Sequence, residues 1–130
     1  MLFRSLTSVA GASDYFIGGF LTYSDQVKTD LLGVVPEVLQ QHTAVSAEVA
    51  EQMALGARTR TGATYAISTT GEAGPESATV APVGTVFLGY ATPDASGAVR
   101  FVMPGDRNRV RGFTVHAALD LLRRSILRLK

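Results

Sequence analysis

The 130-residue chain contains no cysteine, which excludes disulfides, thiolate metal sites and a cysteine nucleophile together. A cytosolic protein needs none, so the compartment stays open. A charge excess is also missing. Twelve basic and 11 acidic residues leave a net charge of +1, which gives no reason to expect a nucleic-acid surface or an acidic partner. No long apolar run is present either. The longest uncharged stretch, Ser77–Pro93, is broken by Pro82, Gly84, Gly89 and several threonines, so it is no transmembrane helix. The start, MLFRSLTSVAGAS, has an early arginine, but Thr7 and Ser8 interrupt its apolar run. It reads as the end of a helix stopped at Gly11 rather than as a targeting segment. There is no G-x-S-x-G, no H-E-x-x-H, no P-loop lysine and no G-x-G-x-x-G. His42 and His116 lack a second histidine at ligand spacing, so both read as capping or packing residues and no metal site is expected.

What is there is globular. The composition is 46% hydrophobic and 18% charged, and the length suits one domain, residues 1–130, with a single core. The charge is unevenly placed: residues 1–99 carry 4 basic and 9 acidic groups, residues 100–130 carry 8 and 2. An anion site is therefore expected to draw on the C-terminal segment.

Phe3–Val9 reads as one or two helical turns, ended by Gly11, with Ser13 or Asp14 starting the next. Phe16–Thr22 reads as a compact apolar strand containing the pair Gly18 and Gly19. Ser24 caps a short helix that ends at Gly33. Pro36 suits the first position of a helix Pro36–Gln41. Ser46 caps a longer one, Ala47–Arg60, with Val49, Ala50, Met53, Ala54 and Ala57 at helical spacing and Gly62 at its end. Ala63–Thr69 is a buried-strand candidate, followed by the loop Thr70–Pro82. Gly84–Ala91 and Ala98–Met103 read as a hairpin joined by Pro93–Gly97. A last helix runs from about Asp106 to Leu129, with Val110, Phe113, Ala117, Leu121 and Ile126 on its core face. Strand, helices, strand, hairpin and helix make an α/β pattern with helices covering a small mixed sheet. The chain enters this pattern on a helix end at Met1, so a first strand is expected to be missing.

The stretch Tyr15–Val34 holds the first candidate chemistry. Counting from Ser24, Asp25 is the first helical residue, Lys28 the fourth, and Tyr23 precedes the cap. Side chains before the cap and at the fourth position meet in a hydrophobic staple, which here predicts a phenol beside an ammonium. The positive end of the helix dipole disfavours a cation, so Lys28, and Tyr23 with it, should lose a proton more easily. The plainer alternative is a solvated Lys28 and a Tyr23 that only covers the strand end.

Two further stretches are candidates. Thr70 ends a strand, and its hydroxyl with the backbone N–H groups of Gly71–Gly74 suits an anion; alternatively these glycines only permit turns. In FVMPGDRNRVR, Asp106 caps the last helix, and Arg107 and Arg111 lie four apart on one face of its first turns. That is a favourable place for phosphate or carboxylate, although Arg107, Arg109 and Arg111 also fit a solvated basic face. Arg123, Arg124, Arg128 and Lys130 fit such a face at the C-terminal dipole end.

Taken in order, LTSVAGASDYFIGG, YSDQVKTDLLGV, AVSAEVAEQMALGAR, TGEAGP followed by PVGTV, and PGDRNRVR make the sequence resemble the C-terminal domain of the competence/damage-inducible protein CinA. The resemblance covers nearly the whole chain. It implies a three-layer α/β/α sandwich, a cytoplasmic homodimer, and hydrolysis of the carboxamide of nicotinamide mononucleotide (NMN) to nicotinic acid mononucleotide and ammonia. No cofactor, metal, nucleic acid or membrane is implied. By position Tyr23 and Lys28 match the family's catalytic tyrosine and lysine; Thr70, Gly71 and Gly74 match a substrate loop, and Arg107 or Arg111 would face the phosphate. The family's nucleophile sits in a Ser-x-Thr-Gly-Gly segment after the first strand, and this sequence begins downstream of that motif. Ser5 and Ser8 lie on the wrong element to replace it. Glu72 stands where relatives usually have an apolar residue, and a carboxylate beside a phosphate site is expected to weaken binding. A non-catalytic nucleotide-binding or interaction module is the alternative.

Overall fold

The computed structural model describes residues 2–8, 10–79 and 81–128. The expected helix ends at Val9 and Leu129, and Lys130 of the basic group, lie outside the described residues. The elements in chain order are α1 (Leu2–Thr7), a 3-10 turn (Ala12–Asp14), α2 (Asp25–Leu32), α3 (Pro36–His42), α4 (Ala47–Thr61), β1 (Ala66–Gly71), β2 (Thr85–Ala91), β3 (Ser96–Val102) and α5 (Arg107–Leu127).

The caps fall where the sequence puts them. The hydroxyls of Ser24 and Ser46 accept the N–H groups of Val27 and Val49, and the Asp106 carboxylate accepts that of Arg109. Each satisfies one of the orphan donors that open a helix. Gly33 and Gly62 close α2 and α4 in the left-handed conformation, the usual helix stop.

The sheet is antiparallel, in the order β1-β2-β3, with Leu88 of β2 opposite Thr69 of β1 and Val99 of β3. Side chains alternate between its faces. Ile67, Val86, Leu88 and Phe101 point to α5, where Val110 and Ala118 complete a core. Ser68 and Gly89 point the other way, to α4. There the Ser68 hydroxyl donates to the Ala50 carbonyl at 2.6 Å, and a Cβ on Gly89 would meet that same oxygen at 2.0 Å. Helix, sheet and helix thus form the three layers expected of the α/β sandwich. A second core of Leu32, Val34, Leu39, Val49 and Met53 lies among α2, α3 and α4. Gly56 lets α2 close onto α4, since a Cβ there would meet the Leu32 carbonyl oxygen at 1.8 Å.

Three expectations are corrected. Phe16–Thr22 is not a strand: the described sheet holds only β1, β2 and β3, and none of them pairs with this stretch. Strand propensity expresses itself only against a neighbour, and without one Ile17 and Leu21 stay 62% and 90% exposed. The described sheet is accordingly antiparallel, not mixed. On α5 the buried pair is Val110 and Ala118, while Phe113 and Ile126 are 44% and 48% exposed. Phe113 instead packs edge-to-face with Phe101, with ring centroids 5.1 Å apart.

Candidate functional site

Lys28 is the one buried cation among the described residues, 5% exposed. The first turn of α2 carries it back over the chain that enters the helix. Its Nζ donates to the Thr22 carbonyl at 2.8 Å and, more weakly, to the Tyr23 carbonyl at 3.4 Å. Both acceptors are neutral, so the ammonium is solvated by peptide dipoles rather than paired with a carboxylate. Burial pushes the Lys28 pKa down from its ordinary value of 10.5, and Asp25 offsets part of that shift. The direction is the one expected from the sequence; the larger cause is loss of water, not the helix dipole. A lysine that gives up its proton readily suits proton transfer.

Tyr23 and Lys28 share the turn but differ in placement from the staple expectation. The Tyr23 side chain is 86% exposed, and the groups beside the Lys28 ammonium are backbone carbonyls. The phenol is therefore open to solvent, while the lysine on the same turn is buried. The alternative of a solvated Lys28 is overturned by its burial.

The loop between β1 and β2 is tied down at both ends. The Glu72 N–H donates to the Thr85 carbonyl at 2.9 Å, and the Gly84 N–H returns to the Glu72 carbonyl at 2.6 Å. Gly74 turns the chain at φ 85°, a conformation that favours glycine. At Gly71 the strands leave no room for a side chain, since a Cβ would meet Val86 Cγ2 at 2.9 Å.

Thr70, expected to offer its hydroxyl to an anion, donates instead to the Ala44 carbonyl at 2.8 Å on the α4 side of the sheet. Arg107 lies on the opposite side and spends a guanidinium N–H on the Gly74 carbonyl at 3.0 Å. The structure thus joins Arg107 to Gly74 and sets Thr70 apart from them. Arg111 is exposed one turn further along α5. His42 ends α3 with Nδ1 3.7 Å from the Glu48 carboxylate, and His116 is exposed on α5. Among the described residues no group of three His, Cys, Asp or Glu is placed to hold a metal ion. No described helix is long and apolar enough to cross a membrane.

Glu72, expected to crowd a phosphate, is turned inward and 7% exposed. Its Oε2 accepts the Thr79 N–H at 2.6 Å and the Ser77 hydroxyl at 3.0 Å. Burial alone would push its carboxyl up. The Thr79 hydroxyl and N–H, the Ser77 hydroxyl and the Ala78 N–H outweigh that and hold it below the usual carboxylate range. The hydroxyl residues Ser77 and Thr79, within reach of Glu72, are the sequence signal for this inward turn.

The family model of the CinA C-terminal domain matches residues 1–126. The chain belongs to this family. A CinA-like protein of Solibacter usitatus is 54% identical over 127 residues, covering 97% of this chain and 30% of that protein. One of Geobacter sp. is 46% identical over 128 residues, covering 98% and 31%. The chain thus spans about a third of the length of these CinA relatives. Among solved structures, the competence damage-inducible protein A of Klebsiella pneumoniae superposes with a TM-score of 0.92 at 30% identity, covering 99% of this chain and 81% of that one. A CinA-superfamily protein of Escherichia coli gives 0.89 at 32%, covering 93% and 71%.

Proposed function

We propose that this CinA-family domain acts on nicotinamide mononucleotide, hydrolysing its carboxamide to nicotinic acid mononucleotide and ammonia. The observation that carries the reading is Lys28: a buried lysine, partnered only by peptide carbonyls and with a depressed pKa. It shares with Tyr23 a turn whose sequence resembles the family's catalytic one. In this reading Lys28 accepts the proton of a hydroxyl nucleophile and Tyr23 relays it towards the leaving ammonia. Arg107, Arg111 and the loop from Gly71 to Gly74 hold the phosphate, and two copies associate as a homodimer.

A second reading rests on the link between Arg107 and the Gly74 carbonyl alone, which needs no nucleophile. In it the domain binds the nucleotide without turning it over. Ammonia release from NMN separates the two. Release by the protein that falls by roughly a hundredfold or more in Lys28→Ala, the usual scale for a lost general base, supports the hydrolase. Protection against thermal unfolding by NMN without ammonia supports the binding module. Neither effect would discard both.

A further inference from the structure

Glu72 is the acceptor around which the β1–β2 loop is wound, and among the described residues its carboxylate bonds only within that loop. Its carboxylate takes the Thr79 N–H and the Ser77 hydroxyl. That hydroxyl shares its single proton among Glu72, the Thr79 carbonyl at 2.7 Å and the Ala81 carbonyl. Glu72's own backbone closes the base of the loop against Thr85 and Gly84. From outside the loop, Arg107 grips the Gly74 carbonyl. A buried carboxylate satisfied by backbone N–H and hydroxyl groups is a strong local organiser, because charge-assisted hydrogen bonds are roughly twice as strong as neutral ones. Losing the carboxylate leaves the partly buried Thr79 N–H without its acceptor.

We propose that Glu72 is a positioning residue: its ionised carboxylate latches the 72–84 loop in the shape that presents Gly71–Gly74 and Arg107 to the ligand's phosphate, so that ligand affinity depends on a side chain that does not touch the ligand. The ligand half of this rests on the NMN reading above; the latch itself does not. The charged groups on the neighbouring elements are few. Glu76 lies exposed on the loop itself, Arg107 opens α5 with its guanidinium on Gly74, and β2 carries none. The latch therefore answers to the protonation of Glu72 rather than to an ion pair. Its carboxyl is held low, so the loop is latched at neutral pH and released only as pH falls through that depressed range.

Amide hydrogen exchange and NMN titration of the whole protein test this. In Glu72→Leu the Thr79 amide should exchange at least roughly tenfold faster than in the unaltered protein, the scale of one lost charge-assisted bond. The NMN Kd should rise by about the same factor, while the thermal midpoint moves by only a few degrees. Ser77→Ala should shift exchange and Kd the same way by less. Corrected for intrinsic rates, Thr79 protection should fall at acid pH in the unaltered protein and stay flat in Glu72→Gln, a difference that a merely space-filling residue would not produce. Unchanged Thr79 exchange in Glu72→Leu overturns the latch. Faster exchange with an unchanged Kd overturns its role in binding. If the unaltered protein binds no NMN, the functional reading fails, and the latch stands or falls on the exchange alone.

Discussion

The Nζ of Lys28 lies 2.8 Å from the carbonyl oxygen of Thr22, six residues earlier in the chain. Helix α2 folds its own cation back onto the segment that leads into it. The floor on which the Lys28 ammonium rests is therefore a local structure, built from residues 22–28 and anchored by the Ser24 cap.

The protonation of Lys28 should be visible in stability. Its folded pKa lies below the unfolded value of 10.5, so the unfolded chain binds the proton more tightly. Between those two pKa values stability rises with pH. The urea midpoint of the unaltered protein is expected to climb on the alkaline side of neutrality relative to that of Lys28→Met. Parallel pH profiles for the two proteins would refute it.

Removing the cap should loosen this floor. Ser24→Ala deprives the Val27 N–H of its acceptor and is expected to cost about 1 kcal/mol in denaturant unfolding. Any ammonia release from NMN should fall with it, because Lys28 sits on the same turn.

Gly89 should be intolerant of any side chain. A Cβ there would meet the Ala50 carbonyl oxygen at 2.0 Å and the Ser68 hydroxyl oxygen at 2.3 Å, both held in the α4–sheet contact. Gly89→Ala is expected to cost about 3 kcal/mol or more, which lowers Tm by roughly 10 °C for a domain of this size. Calorimetry checks it; a shift within a degree or two would mean that α4 rides more loosely on the sheet than the bond between Ser68 and Ala50 implies.

Thr85 is 1% exposed, and its hydroxyl has no hydrogen-bond partner among the described residues. Replacing it with valine keeps the shape and removes the orphan group. Thr85→Val is expected to stabilise by about 1 kcal/mol, raising Tm by a few degrees. A lowered Tm would show that the hydroxyl has a partner after all.

Caps and periodicity were legible because they are local. Ser24, Ser46, Asp106, Gly33 and Gly62 announce helix ends in the sequence, and the structure ends the helices there. The hairpin was legible for the same reason. Phe16–Thr22 was not, because a strand is a relation between two segments, and its apolar residues cannot say whether a partner lies beside them. The site followed the same division. The lowered pKa of Lys28 was legible in direction from its place on a capped helix, but the burial that causes it was not. The turn of the Thr70 hydroxyl towards Ala44 depends on which face of β1 meets α4, a matter of register across 26 residues. The inward turn of Glu72 was not legible, because its donors gather around it only once the loop is folded.

Gly56 sets how closely α2 lies on α4. Because that position in α4 carries no side chain, the Leu32 carbonyl can come down against it. Any larger residue at 56 would act as a shim under α2, prising the end of that helix off its neighbour. The seat of α2 is thus governed from another helix, by an atom that is not there.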